Sequence, residues 1–161
     1  MKEYLDDVLL NLRPQLLERH VSVRLACPDN FSVEAEPDVI YRIVSNLVVN
    51  ATQHAFAHMA TGAIRIDVVP RADQVLIRFA DNGCGIPGDH LSRIYEPIFT
   101  TARNSGSLGL GLHVVYNLVT RSLGGRLQCM SGAGEGTIFD IEFPIEKDTN
   151  ADDKPSITAG A

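Results

Sequence analysis

No tryptophan occurs in this chain, and aromatic residues make up only 6% of it. That leaves little surface on which unpaired bases stack, so a single-strand-binding role is disfavoured. A basic excess is also missing: the formal net charge is −6, the wrong sign for a nucleic-acid face. A polyanionic ligand is still admissible if a divalent cation and backbone N–H groups meet its charge locally. The three cysteines, Cys27, Cys84 and Cys129, are too scattered for a CxxC metal site, and their odd number argues against a closed disulfide framework. Reduced thiols in a cytoplasm fit them best. No apolar run approaches the ~20 residues that cross a bilayer, so no direct membrane contact is expected from this segment. The opening MKEYLDDVLLNLRP has mixed charges and no small-residue cleavage site, unlike a signal peptide. A domain taken from a membrane receptor would read the same way.

What is present is one domain's worth of sequence: 161 residues, 45% hydrophobic. Residues 3–19 carry Tyr4, Val8, Leu9, Leu12, Leu16 and Leu17 at helical spacing, with Pro14 as an interruption. Alternation over Val21–Cys27 predicts a strand, Pro28-Asp29-Asn30 a turn, and Phe31–Ala35 a short strand pairing back. Pro37 suits the first turn of a long helix running through Asn50 to about Phe56. Residues 63–69 and 74–80 read as a hairpin. The stretch 81–108 is punctuated by glycine and proline, and loops of that length are usually functional. A helix from Gly109 to Leu123 and strands over 126–131 and 137–144 follow, while 146–161 reads as a disordered tail. The expected fold class is α+β, a two-layer α/β sandwich of a mixed sheet with helices on one face.

Three clusters carry chemistry. Asp81-Asn82-Gly83-Cys84-Gly85-Ile86 follows a strand directly. Its glycines allow sharp turns and close approach, and its carboxylate can accept from an exocyclic amine such as adenine N6. The plain alternative is a turn at a strand end. Gly106-Ser107-Leu108-Gly109-Leu110-Gly111-Leu112 leads into a helix, where exposed N–H groups and the macrodipole favour phosphate; a merely flexible loop is the alternative. Asn46 and Asn50 lie four apart on one helical face among apolar neighbours. An amide oxygen there is a hard ligand of the kind Mg²⁺ accepts beside phosphates, though an amide capping nearby backbone is the simpler alternative. Neither GxxxxGK[ST] nor a GxGxxG opening a helix is found.

In this order the clusters resemble the ATPase family shared by DNA gyrase, mismatch-repair ATPases and histidine kinases, and most closely the last. NLVVNATQHAF is similar to the kinase N box, DNGCGIP to the first glycine box, IYEPIFTT to the phenylalanine box, SLGLGLHVVYNLV to the second glycine box, and GAGEGTIFDIEFP to the closing strands. The resemblance spans residues 1–145 and implies the Bergerat ATP-binding fold with a long lid. It implies ATP and Mg²⁺ as ligands, Asp81 at the adenine amine, Thr137 supporting the adenine through water, and Asn50 on Mg²⁺. Gly83, Gly85, Gly109 and Gly111 would line the nucleotide with Ile86, Thr101, Leu110 and Leu112; Asn46 and His54 would lie near the phosphates, and Arg103 would reach the γ-phosphate. Departures are Ser107 where the glycine box has its first glycine, Ile98 where Phe is usual, and Gln53 where Lys is frequent.

In gyrase-like relatives a Glu at the position of Asn46 is the base for water; an amide accepts no proton usefully, which favours transfer to an external nucleophile. None of the five histidines (His20, His54, His58, His90, His113) begins a phosphoacceptor run. His54 and His58 share helical spacing but lack an HExxH or a third ligand. The resemblance therefore implies the catalytic domain of a sensor histidine kinase that transfers the γ-phosphate of Mg–ATP to a histidine on another domain and does not phosphorylate itself alone. Residues 1–20 would connect to that histidine-bearing dimerisation domain, 21–145 would bind ATP, and a response regulator receiver domain would be the downstream partner in a bacterial cytoplasm. An anti-sigma-type serine kinase and a degenerate nucleotide- or partner-binding module are the alternatives.

Overall fold

The structure, a computed structural model, describes residues 1–33, 35–97 and 110–145. Helix α1 (Lys2–Glu18) is continuous through Pro14, whose ring lies on the exposed side. It buries Leu5, Val8, Leu12 and Leu16, one per turn. Helix α2 (Pro37–Asn50) begins with proline in its first turn, where a missing N–H costs nothing. Its stripe of Val39, Ile40, Ile43, Val44, Leu47 and Val48 is buried. The last turn, Ala51–Ala55, widens into a π-helix, a form frequent at functional sites.

Strands β1 (Val21–Ala26), β2 (Gly62–Pro70), β3 (Gln74–Asp81), β4 (Arg126–Ser131) and β5 (Thr137–Pro144) make one sheet in the order β1-β2-β3-β5-β4. β1 runs parallel to β2, joined by α2, and the remaining pairs are antiparallel. A short helix α3 (Gly88–Leu91), which no sequence signal announced, lies in the glycine-rich stretch, and α4 (Gly111–Asn117) continues as a π turn, Leu118–Ser122.

The sheet has two unlike faces. Inward, Ile64, Ile66, Val75, Ile77, Phe79, Phe139, Ile141 and Phe143 meet the buried stripes of α1 and α2 and Val115 and Val119 in a single core. Outward, the strands carry ion pairs, among them a bidentate Arg78–Asp140 at 2.7 and 2.6 Å and Arg71–Glu142 at 2.7 Å. The more exposed Arg71–Glu142 pair contributes about 1 kcal/mol or less, and core burial carries most of the stability.

The expected strand over Phe31–Ala35 does not form among the described residues 31–33 and 35. The Phe31 carbonyl instead accepts from the Met1 amino group at 3.1 Å, and the Phe31 N–H donates back to Pro28 O. Phe31, Val33 and Ala35 pack on the core as a loop, so the alternation reflected burial without sheet pairing. The expected tail, 146–161, lies outside the described residues.

Candidate functional site

The site stands where three strand ends converge. Register pairs Asp81 at the end of β3 with Thr137 at the start of β5, and Thr137 with Ser131 at the end of β4. Across from them lie the C-terminal end of α2 and the N-terminus of α4. Between these walls is a cavity of about 160 Å³, bordered by Asn50, His54, Asp81, Gly111, Leu112 and Thr137 among others. Asp81 and Asn50 thus border one open space.

Asp81 is set up by the turn that follows it. The Gly83 N–H donates to Asp81 Oδ1 at 2.9 Å, which holds the carboxylate's rotamer. Burial raises the Asp81 pKa above its ordinary value, and the backbone N–H groups of Gly83 and Thr137 oppose that shift. A carboxylate kept under desolvation has a reason to seek a donor. Gly83 itself stands behind the cavity wall: a methyl group there would sit 2.4 Å from the Ala55 side chain. The Cys84 N–H donates to Ala55 O at 3.0 Å, so the π turn of α2 anchors the glycine loop. Gly85 borders the cavity at φ +70, with no room for a Cβ against Gly132 O, 1.9 Å away.

The two asparagines meet the start of α4. Asn46 spends its amide N–H on Arg42 O, one turn back, at 2.7 Å. A Cβ at Gly111 would stand 3.1 Å from Asn50 Oδ1 and 3.3 Å from Asn46 Oδ1, so glycine lets the helix start close on both amides. Asn50 Nδ2 is buried with no hydrogen-bond partner among the described residues. An unpaired buried amide costs about 1–3 kcal/mol, and a half-turn of the amide exchanges its donor and acceptor ends. It therefore fits a ligand supplying phosphate oxygens or a cation. Among the described residues no group of three or more His, Cys, Asp or Glu could hold a metal. His54 borders the cavity, and burial lowers its pKa, which favours the neutral ring there.

Of the predicted residues, Asn50, His54, Asp81, Gly85, Ile86, Gly111, Leu112 and Thr137 border this cavity. Gly83 does not, because it packs against Ala55; Asn46 lies next to Gly111 outside the wall; Leu110 points outward, 40% exposed. Thr101, Arg103 and Gly109, with Ile98 and Ser107, fall outside the described residues. Sequence reasoning missed Pro87, His90 and Ile94, which complete one wall from around α3. It also missed His113, whose Nδ1–H donates to Tyr95 O at 3.0 Å while Nε2 faces the Asn117 amide at 3.0 Å, tying α4 to that wall. Irregular spacing around α3 holds no periodic signal for Pro87, His90 and Ile94.

Residues 35–147 match the family described as histidine kinase-, DNA gyrase B- and HSP90-like ATPase. The chain belongs to that family. Within this ATPase family its relatives are sensor kinases: it is 34% identical to the sensor kinase CckA of Brucella abortus (strain 2308) over 94% of this chain and 18% of that protein. It is equally 34% identical to the sensor histidine kinase ZraS of Escherichia coli (strain K12), over 79% of this chain and 26% of that one. The chain thus spans about a fifth to a quarter of these relatives. Its fold is that of the catalytic domain of histidine kinase ThkA, with a TM-score of 0.78, 23% identity, and 90% of this chain and 92% of that one covered. Full-length ShkA, solved in complex with AMPPNP, aligns with a TM-score of 0.75 and 23% identity over 90% of this chain and 30% of that one. The ATPase domain is accordingly an ATP-binding catalytic domain of the sensor histidine kinase type, a mixed five-stranded α+β sandwich. No described helix is long and apolar enough to cross a membrane.

Proposed function

We propose that this domain binds Mg–ATP in the cavity between α2 and the strand ends and passes the γ-phosphate to a histidine on a separate domain. The observation that carries this reading is the shared cavity: a desolvated carboxylate, Asp81, on one side and, on the other, the Asn50 amide, whose Nδ2 has no partner among the described residues. Asp81 accepts from the adenine amine, Thr137 supports the base, and Gly85, Ile86 and Leu112 enclose it. Asn50, with Asn46 beside it, faces the triphosphate and its ion, while His54 supplies a neutral hydrogen-bonding ring. When bound, Mg²⁺ neutralises phosphate charge.

The chain's own part is to hold the nucleotide and exclude wrong geometry, because phosphoryl transfer asks mainly for positioning and charge neutralisation. Asn46 offers no base for water, which disfavours hydrolysis. A neutral imidazole needs none: its ring nitrogen lone pair forms the new P–N bond as the bond to ADP breaks. No Lys or Arg among the described residues borders the cavity; Arg103 is proposed to supply that cation. The histidine-bearing dimerisation domain would join through α1, and a receiver domain would take the phosphate onward, in the cytoplasm.

Titration with a fluorescent ATP analogue, with and without Mg²⁺, tests the binding step; saturable, Mg²⁺-strengthened binding is expected. Adding a separately produced histidine-bearing domain with γ-labelled ATP tests transfer. Absent binding, or label appearing stably on the isolated chain, would refute the proposal.

A further inference from the structure

Around the inner end of the cavity one hydroxyl joins three segments. Ser131 Oγ accepts from the Ile86 N–H of the glycine loop at 2.8 Å and donates to Gly136 O, the residue before β5, at 2.6 Å. It also lies 3.1 Å from Thr137 Oγ1. A serine hydroxyl has one proton and two lone pairs. A carbonyl oxygen only accepts, so that proton is committed to Gly136. An amide N–H only donates, so one lone pair is committed to Ile86. In the third contact Ser131 has only a lone pair left to offer, and Thr137 must be the donor.

The hydrogen of Thr137 is therefore turned toward β4. Thr137, only 5% exposed, keeps acceptor lone pairs alone for the cavity it borders. Asp81 beside it, paired in register, is acceptor-only as a carboxylate. Resting on the reading of Asp81 and Thr137 as the purine-facing pair, we infer that Ser131, which touches no ligand, is a positioning residue for base selection: it locks Thr137 as an acceptor, so the inner wall accepts a 6-amino purine edge and rejects a 6-oxo edge. Specificity here comes from unpaired or opposed groups on the wrong ligand more than from extra attraction to the right one.

The test compares ATP with inosine triphosphate, which has a 6-oxo group in place of the amine and a hydrogen on N1, on the 161-residue chain; acceptors that face the 6-position meet only lone pairs there. The unaltered chain is expected to bind ATP at least about tenfold more tightly. Ser131→Ala frees the Thr137 hydroxyl to turn toward the ligand, and narrows the ATP-to-ITP ratio about fivefold, the worth of one hydrogen bond. Ser131→Thr keeps the hydroxyl and restores the ratio. In a Thr137→Val background Ser131→Ala changes the ratio no further, since nothing remains to steer. A purely structural serine would instead lower both affinities together and leave the ratio in place, which would overturn the inference. Should Ser131→Ala fail to melt cooperatively, Thr137→Val decides alone by its sign. Loss of a locked acceptor narrows the ratio, whereas loss of a donor widens it and overturns the inference. Equal affinities, or no binding, in the unaltered chain would overturn the proposed function as well; an ATP-selective chain with an unmoved Ser131→Ala ratio overturns the role of Ser131 only.

Discussion

Replacing Asp81 by asparagine separates what this residue does for binding from what it does to the fold. The side chain keeps its shape, and an amide oxygen still accepts from the Gly83 N–H that lies 2.9 Å from Oδ1. The other end changes from an acceptor to a donor and meets the adenine amine donor to donor. Losing a hydrogen bond to a charged group costs about 1.5–3 kcal/mol, which corresponds to roughly 10- to 150-fold weaker binding. Stability moves the other way. Burial raises the Asp81 pKa from 3.8, so the folded chain holds that proton more tightly than the unfolded one. The native state is then favoured at low pH, and the advantage is lost as pH rises from 3.8 through the raised folded value. At neutral pH the ionised carboxylate is a net cost, which asparagine removes. The expected pair of results at pH 7 is a Tm equal to or above that of the unaltered chain and a loss of ATP-analogue affinity of at least tenfold. Urea midpoints measured across pH should show the fall in stability above pH 3.8 flattened in the variant. Retained affinity within about twofold would refute the assignment of Asp81 to the base. A variant markedly less stable at pH 7 would refute the sign of its electrostatics.

The amide at Asn50 gives a parallel case: Asn50→Ala deletes a buried amide nitrogen without a partner among the described residues, so stability should hold or rise by up to about 1 kcal/mol. The difference between nucleotide titrations in Mg²⁺ and in EDTA should vanish. Gly111→Ala puts a methyl group 3.1 Å from Asn50 Oδ1; helix propensity offsets the crowding to within about 1 kcal/mol in thermal melts. Displacement of the amides by a few tenths of an ångström should nonetheless weaken Mg²⁺-dependent binding roughly tenfold. Phe79→Ala empties a site only 1% exposed at the centre of the sheet, and should cost about 3–5 kcal/mol in urea unfolding. That is a large part of a typical domain's total of about 5–15 kcal/mol.

The regular elements were legible because their signals are local. The stripe of α2 repeats at helical spacing, Pro37 marks its start, and the alternation in β2 and β5 survives as a buried and a more exposed face. Where a local signal misled, long-range contacts had taken over. Phe31 and Val33 alternate like a strand, yet the Phe31 carbonyl is taken by the Met1 amino group, thirty positions away. The π turn at the end of α2 has no sequence mark either; it delivers Ala55 O to Cys84 across the site.

The candidate site divides the same way. Asp81 at a strand end, the paired asparagines on one helical face and the glycines before a helix follow from residue type and spacing, which backbone geometry converts into position. That Asn50 and Asp81 border one cavity, that Gly83 supports the wall while Gly85 forms it, and that Ser131 governs the Thr137 proton were decided only in three dimensions. The insertion of β5 between β3 and β4 brings Asp81, Thr137 and Ser131 together. Strand order and hydrogen-bond direction depend on which distant backbones meet, and no local pattern of residues encodes that.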